Sequence, residues 1–260
     1  MKSTPPVKRI FIDPGHVGKS FFDFRHFSMD DIEFHEGDYC FAWAEVLQKV
    51  LQGKIEDVRL SRGDGQPSYL ITSIESKQRQ DELVSNMGAE AALKKFRVPR
   101  AFFPSSSAEE LLEAAVQNEA DLLNRTKIAN EQRFDLCLSL HLNGDPKVLK
   151  TTKNGICGFT NQNSKEFYPI FESIIQNISL ETKLPIIQVE ELEEVKEGVF
   201  IDDSLTLLKN MKIPTLLIEG PFQNNPNELV LLNQSLIDFK VHNKVNGRLE
   251  QLVKAIVSSL

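Results

Sequence analysis

Three positions in this sequence carry a chemically active side chain at the point where an apolar run meets a turn. His16 closes "RIFIDPGH", His141 lies in "FDLCLSLHLNGDP", and Glu219 ends "PTLLIEG". Imidazole carries protons near neutral pH and binds metals, and a carboxylate does either job. Two histidines and a carboxylate drawn from distant parts of one chain form the donor set of a catalytic zinc site, whereas structural zinc sites more often use short-spaced cysteines. A further ligand is to be sought in "DDIEFHEGDY", which offers Glu33, His35 and Glu36 just ahead of a helical pattern. Glu36 falls in the first turn of that helix, where the dipole favours a carboxylate. The plain alternatives are a hydrogen-bonded turn histidine for His16 and a solvated capping residue for each acid.

These groups need elements that bring them together. Arg9 to Ile12 are β-formers, Pro14 biases Asp13 toward extended geometry, and Gly15 tolerates a backbone turn. A strand over 8–13 therefore ends with His16 at its carboxyl edge. An amphipathic helix over 37–52 and a strand over 56–61 complete a βαβ opening, which favours a right-handed crossover and a largely parallel sheet. The pattern continues with a helix over 106–131 behind capping serines, strands over 134–142 and 155–160, helices over 164–182 and 204–211, a strand over 214–222 and a final helix at about 240–258. In a parallel sheet the carboxyl edges of the strands line the ligand crevice, so His16, His141 and Glu219 are expected to converge. Residues 65 to 105 have little clean period and include "VPRAFFPSSS". They read as an insertion of helices and loop on the rim of the sheet, with Phe102 and Phe103 either packed on the body or turned toward substrate.

A chain of 260 residues buries one large core, or a core with an inserted subdomain, and 41% hydrophobic with 26% charged residues is ordinary for a globular protein. A formal net charge of -7 argues against a dedicated polyanion binder, so nucleic acid is not expected as a partner. Cys40, Cys137 and Cys157 have no C-x-x-C spacing and read as buried small hydrophobes, which leaves the redox compartment open. No apolar run reaches the roughly 20 residues of a membrane span. "MKSTPPVKRI" has no apolar core of signal-peptide length, so either export does not use that route or a leader has been removed.

The blocks "IFIDPGH", "HEGDYCFAWAEVLQKVL", "LSRGD", "LLNRTKIANEQRFDLCLSLHLNGD" and "IPTLLIEGPFQNNPNELVLL" together resemble the zinc-dependent N-acetylmuramoyl-L-alanine amidases of the amidase-3 type, in order, from about residue 8 to the C-terminus. The resemblance implies an α/β fold: a single three-layer catalytic domain over 8–260, with a mostly parallel or mixed six-stranded sheet between helices and the insertion at about 65–105. It implies hydrolysis of the amide joining the lactyl group of N-acetylmuramic acid to L-alanine, in the cell envelope, periplasm or outside the cell. It assigns His16, Glu36 and His141 to a Zn2+ ion, preferring Glu36 over Glu33 and His35, and makes Glu219 the catalytic carboxylate that moves protons between water and the departing amine. Peptidoglycan or its muropeptides are then the partner, and the resemblance leaves any regulatory partner unknown. Arg62 and Asn143 are candidate substrate contacts; Arg62 and Arg125 are alternatively ion-pair anchors, and Asn143 alternatively orients His141 or stabilises a turn. The sequence departs from the family at 65–110, at Pro221 where a second glycine is common, and in the aromatic "FFDFRHF". Another zinc amidohydrolase or carboxypeptidase on the same scaffold, and a catalytically silent cell-wall-binding module, are the competing readings, because fold and metal do not fix substrate.

Overall fold

A computed structural model of the chain describes residues 5–17, 26–29, 31–63, 66–68, 72–96, 106–145 and 148–260. The fold is α/β, with a seven-stranded mixed sheet between helices. Strands β1 (Arg9–Pro14), β4 (Asp57–Leu60), β5 (Leu136–Asn143), β6 (Cys157–Thr160), β7 (Glu193–Lys196), β8 (Val199–Ile201) and β9 (Thr215–Phe222) stand in the order β4-β1-β5-β9-β6-β8-β7. The block β4-β1-β5-β9 is parallel, and β6 returns antiparallel to β9. A separate hairpin pairs β2 (His26–Met29) with β3 (Ile32–His35). The sheet has one strand more than the six implied by resemblance; β7, short and largely exposed, lies at its edge.

Side chains two apart along a strand share a face, and here both faces are buried. Ile10, Ile12, Leu138, Leu140, Leu216 and Ile218 pack on one side, in a core that includes Trp43 of α1 (Glu36–Leu51) and Ile256 of α8 (Gly247–Val257). Phe11, Cys137 and Leu217 point the other way, onto α4 (Ala108–Gln132) and α6 (Thr206–Asn210) through Ala129, Leu207 and Leu208. Continuing that second phase along each strand reaches Asp13, His141 and Glu219. Strand periodicity alone thus puts three polar groups on the α4 side of the sheet at its carboxyl edge.

The expected final helix at about 240–258 is α8, and a helix that was not expected precedes it. The helix α7 (Pro226–His242) is capped by Asn225, ends at a left-handed Asn243, and is followed by α8. Valine, leucine and isoleucine stand on its solvent side as well, as at Val230, Leu231, Ile237 and Val241, which blurs its period. The pattern over 164–182 divides into a 3-10 segment, Gln162–Phe167, and α5 (Tyr168–Thr182), which has a proline in its first turn. Within 65–105 the chain forms α2 (Ser73–Met87), opened by a reciprocal cap between Thr72 and Glu75, and α3 (Ala89–Lys95). Leu83, Ala92 and Leu93 of these helices pack with Leu111, Leu112 and Val116 of α4 in a cluster of their own. Phe102 and Phe103 lie outside the described residues, as do residues 18–25, which include most of the aromatic stretch after His16. The three cysteines are free and buried. Among the described residues no helix is long and apolar enough to cross a membrane.

Candidate active site

The turn after β1 does not work as its glycine suggests. Gly15 is not the residue in the left-handed region; His16 is, at φ 50°. Gly15 serves close approach instead: a Cβ there would lie 2.5 Å from the ring of His141 and 2.7 Å from the carbonyl oxygen of Leu140. Its N–H donates to that same carbonyl at 2.8 Å, which pins the turn to β5.

Arg62 holds the other side of the turn. Its guanidinium donates to the carbonyls of Pro14, Gly15, His16 and Gly63, and it sits 5.7 Å from the ring centroid of Phe41. Burial and neighbouring Arg125 push its pKa down to about 10, which leaves it a cation at neutral pH. Arg62 is thus buried and occupied by backbone carbonyls, and is absent from the wall of the cavity described below. Beneath it, Asp13 accepts from Arg125 at 2.6 Å and from Ser139 at 2.8 Å. Burial raises the Asp13 pKa, but Arg125 and the hydroxyls of Ser61 and Ser139 outweigh it, so the carboxyl stays below its ordinary value. Arg125 also pairs with Asp121 at 3.0 Å, and Asp121 accepts from the N–H and hydroxyl of Ser68, tying the start of the inserted segment to α4. Arg125 is therefore an anchor of the fold.

Glu36 is the first residue of α1, where an acid suits the helix dipole, and it is buried. Its Oε1 lies 3.6 Å from Nε2 of His16 and 3.5 Å from Nδ1 of His141. The ligand atoms of His16, Glu36 and His141 all fall within 4.8 Å of one another. Bonds of about 2.0–2.1 Å in a tetrahedral zinc site give ligand-to-ligand edges of roughly 3.3–3.4 Å. The two measured separations lie close to that edge, and two imidazoles with one carboxylate match the donor chemistry of a catalytic site. Burial opposes a charge on His141, yet its hydrogen bond to Glu36 and the fields of Glu219, Glu36 and Asp13 prevail and raise its pKa. Glu33 and His35 pair with each other on β3, at 3.3 Å, and do not join the cluster.

Glu219 is in register with His141 on adjacent parallel strands, so the two side chains stand next to each other on one face. With His16 and Glu36 they line a cavity of about 590 Å³ walled by α4, by the segment Ser204–Asn210 and by Lys95 and Phe96 at the end of α3. Asn143 also lines this cavity, but its side-chain carbonyl accepts the N–H of Gly144 and its backbone carbonyl that of Gln223. The residue not anticipated is Gln223, fully buried, whose amide donates to Oε2 of Glu36 at 2.5 Å.

A family model described as N-acetylmuramoyl-L-alanine amidase matches residues 100–249. The chain belongs to that family. The matched span contains His141 and Glu219, while His16 and Glu36 precede it and are brought to the cluster by the fold. The family consists of hydrolases acting on peptidoglycan of the cell wall, and the chain is accordingly a peptidoglycan amidase. No curated protein matches the chain. Solved amidase structures share its fold at low identity. The CwlD amidase of Clostridioides difficile, solved in complex with the GerS lipoprotein, matches with a TM-score of 0.62 at 18% identity, over 97% of this chain and 95% of that one. The catalytic domain of CwlV, an N-acetylmuramoyl-L-alanine amidase from Bacillus (Paenibacillus) polymyxa var. colistinus, gives 0.57 at 16%, over 97% and 95%. The amidase Ami1 of Mycobacterium smegmatis gives 0.59 at 13%, over 99% and 96%.

Proposed function

We propose that this amidase is a zinc enzyme of the cell envelope that cuts between the lactyl group of N-acetylmuramic acid and L-alanine, with His16, Glu36 and His141 as ligands and Glu219 as proton carrier. The observation that carries this reading is the clustering of the three ligand atoms within 4.8 Å beside Glu219 at an open cavity. A zinc ion there supplies a Lewis acid for the scissile carbonyl and lowers the pKa of water from about 15.7 toward roughly 7. Glu219 accepts a proton from the attacking water and returns it to the departing amine of L-alanine. Its place on the strand next to His141, outside the ligand cluster and at the cavity wall, is where a carboxylate can serve both transfers. Arg62 and Asp13 act further back, the first by holding the turn that bears His16 and the second by fixing Arg125 beneath it.

Digestion of purified muropeptides, read by mass spectrometry, tests the bond assignment. The expected products are a free lactyl carboxylate on the sugar and a peptide with L-alanine at its amino terminus. Release of a carboxy-terminal amino acid with the sugar-peptide bond intact would make the protein a carboxypeptidase instead.

Over 65–105 we propose a wall for the groove within one catalytic domain spanning 8–260. Lys95 and Phe96 support this, since they reach the cavity while α2 and α3 hold their own packing cluster on α4. Replacing both by alanine should raise KM for intact sacculi with kcat little changed. A lost contact of about 1 kcal/mol corresponds to roughly fivefold. Small muropeptides, which extend less far along the groove, should show a smaller change; equal effects on both substrates would leave these residues a packing role only.

A further inference from the structure

The two oxygens of Glu36 are treated differently by the protein. Oε1 faces both imidazoles and also accepts the N–H of Leu142 at 3.0 Å. Oε2 is held by the side-chain amide of Gln223 at 2.5 Å, from a residue 187 positions away in the chain. Gln223 is itself fixed, because its N–H donates to the carbonyl of Asn143 at 2.9 Å and its side chain is wholly buried. Pointing Nε2 at the carboxylate has a cost. The other end of the amide, Oε1 of Gln223, is buried without a hydrogen-bond partner among the described residues. Buried polar atoms are nearly always paired, and an exception is tolerated where another demand is met.

We infer that Gln223 is a positioning residue that keeps Glu36 a one-oxygen ligand, so that a coordination position stays open for water. This rests on the metal reading above. A carboxylate can hold a cation through one oxygen or both, and the amide determines which: Oε2 can reach the metal only by giving up a short, buried hydrogen bond to Gln223. The neutral amide does this without adding a second charge next to Glu36. Residues that orient metal ligands in this way contribute about 10- to 100-fold in metal affinity.

Gln223→Met keeps the length of the side chain and removes the donor. Zinc affinity, measured by competition with a chromophoric chelator, should fall about 10- to 100-fold. The cobalt(II)-loaded variant should lose the intense visible bands of four-coordinate cobalt in favour of the weaker spectrum of higher coordination. Gln223→Asn, which retains an amide too short to reach Oε2, should behave the same way and covers the case in which the methionine variant fails to fold. A folded variant with parental affinity overturns the inference, as does weaker affinity with an unchanged cobalt spectrum, since the amide would then not set denticity. A parent protein that binds no zinc sinks the metal reading itself, which is a different result from a parent and variant that bind alike.

Discussion

Glu219→Gln should fold and hold zinc like the parent while losing turnover by about 10²- to 10⁴-fold, the range in which a general acid or base contributes. Glutamine has nearly the shape of glutamate but does not accept the proton of water, and in the proposed mechanism this carboxylate acts twice in one cycle. The loss is therefore expected near the upper end. Its position explains why the metal should be spared: Glu219 is the register partner of His141 and lines the same cavity, but the three groups proposed to hold the ion are His16, Glu36 and His141. The measurement is release of L-alanine amino termini from muropeptides, with zinc content determined on the same sample. Metal and rate falling together would make Glu219 a ligand, and near-normal release would send the search for a proton carrier elsewhere.

His141→Ala should bring bound zinc well below one per chain and abolish hydrolysis. In the proposed site the imidazole is one of three donors, and the ring is seated against Gly15 and beside the buried Glu36. Glu33→Ala and His35→Ala are the matched controls, because those two residues pair on β3 and should leave the metal in place. Metal analysis after dialysis decides the matter. Full zinc content in the histidine variant, or its loss from either control, would move the site.

How much of this was legible in the chain depends on what each residue answers to. Strand ends are local: "DPGH", "LHLNGDP" and "LLIEG" each pair an apolar run with a breaker, and the parallel order of β1, β5 and β9 then brings their edges together. Glu36 was readable as the opening of an amphipathic helix. Gln223 was not, because "PFQNNP" reads as a turn and the acceptor of its amide stands 187 residues earlier. Arg62 was visible as a charge, yet its partners are backbone carbonyls, which leave no complementary side chain in the sequence to find. The helix α7 carries an asparagine cap and an early proline, but apolar residues on its exposed side hide the period that would have separated it from α8. The hairpin β2–β3 and the strands β7 and β8 are three or four residues long, too short for alternation to register.

The left-handed backbone of His16 also bears on how the protein is assembled. For a residue with a side chain, that conformation costs roughly 1–2 kcal/mol, so an isolated peptide containing "DPGH" would relax toward an extended form and turn the imidazole elsewhere. What holds it are contacts that exist only once three strands are side by side: the carbonyl of Leu140 from β5, and a guanidinium that follows β4. The display of His16 is thus a property of the completed sheet rather than of the nascent chain. An unfinished or partly unfolded molecule presents scattered histidines, and hydrolytic competence arrives with tertiary structure.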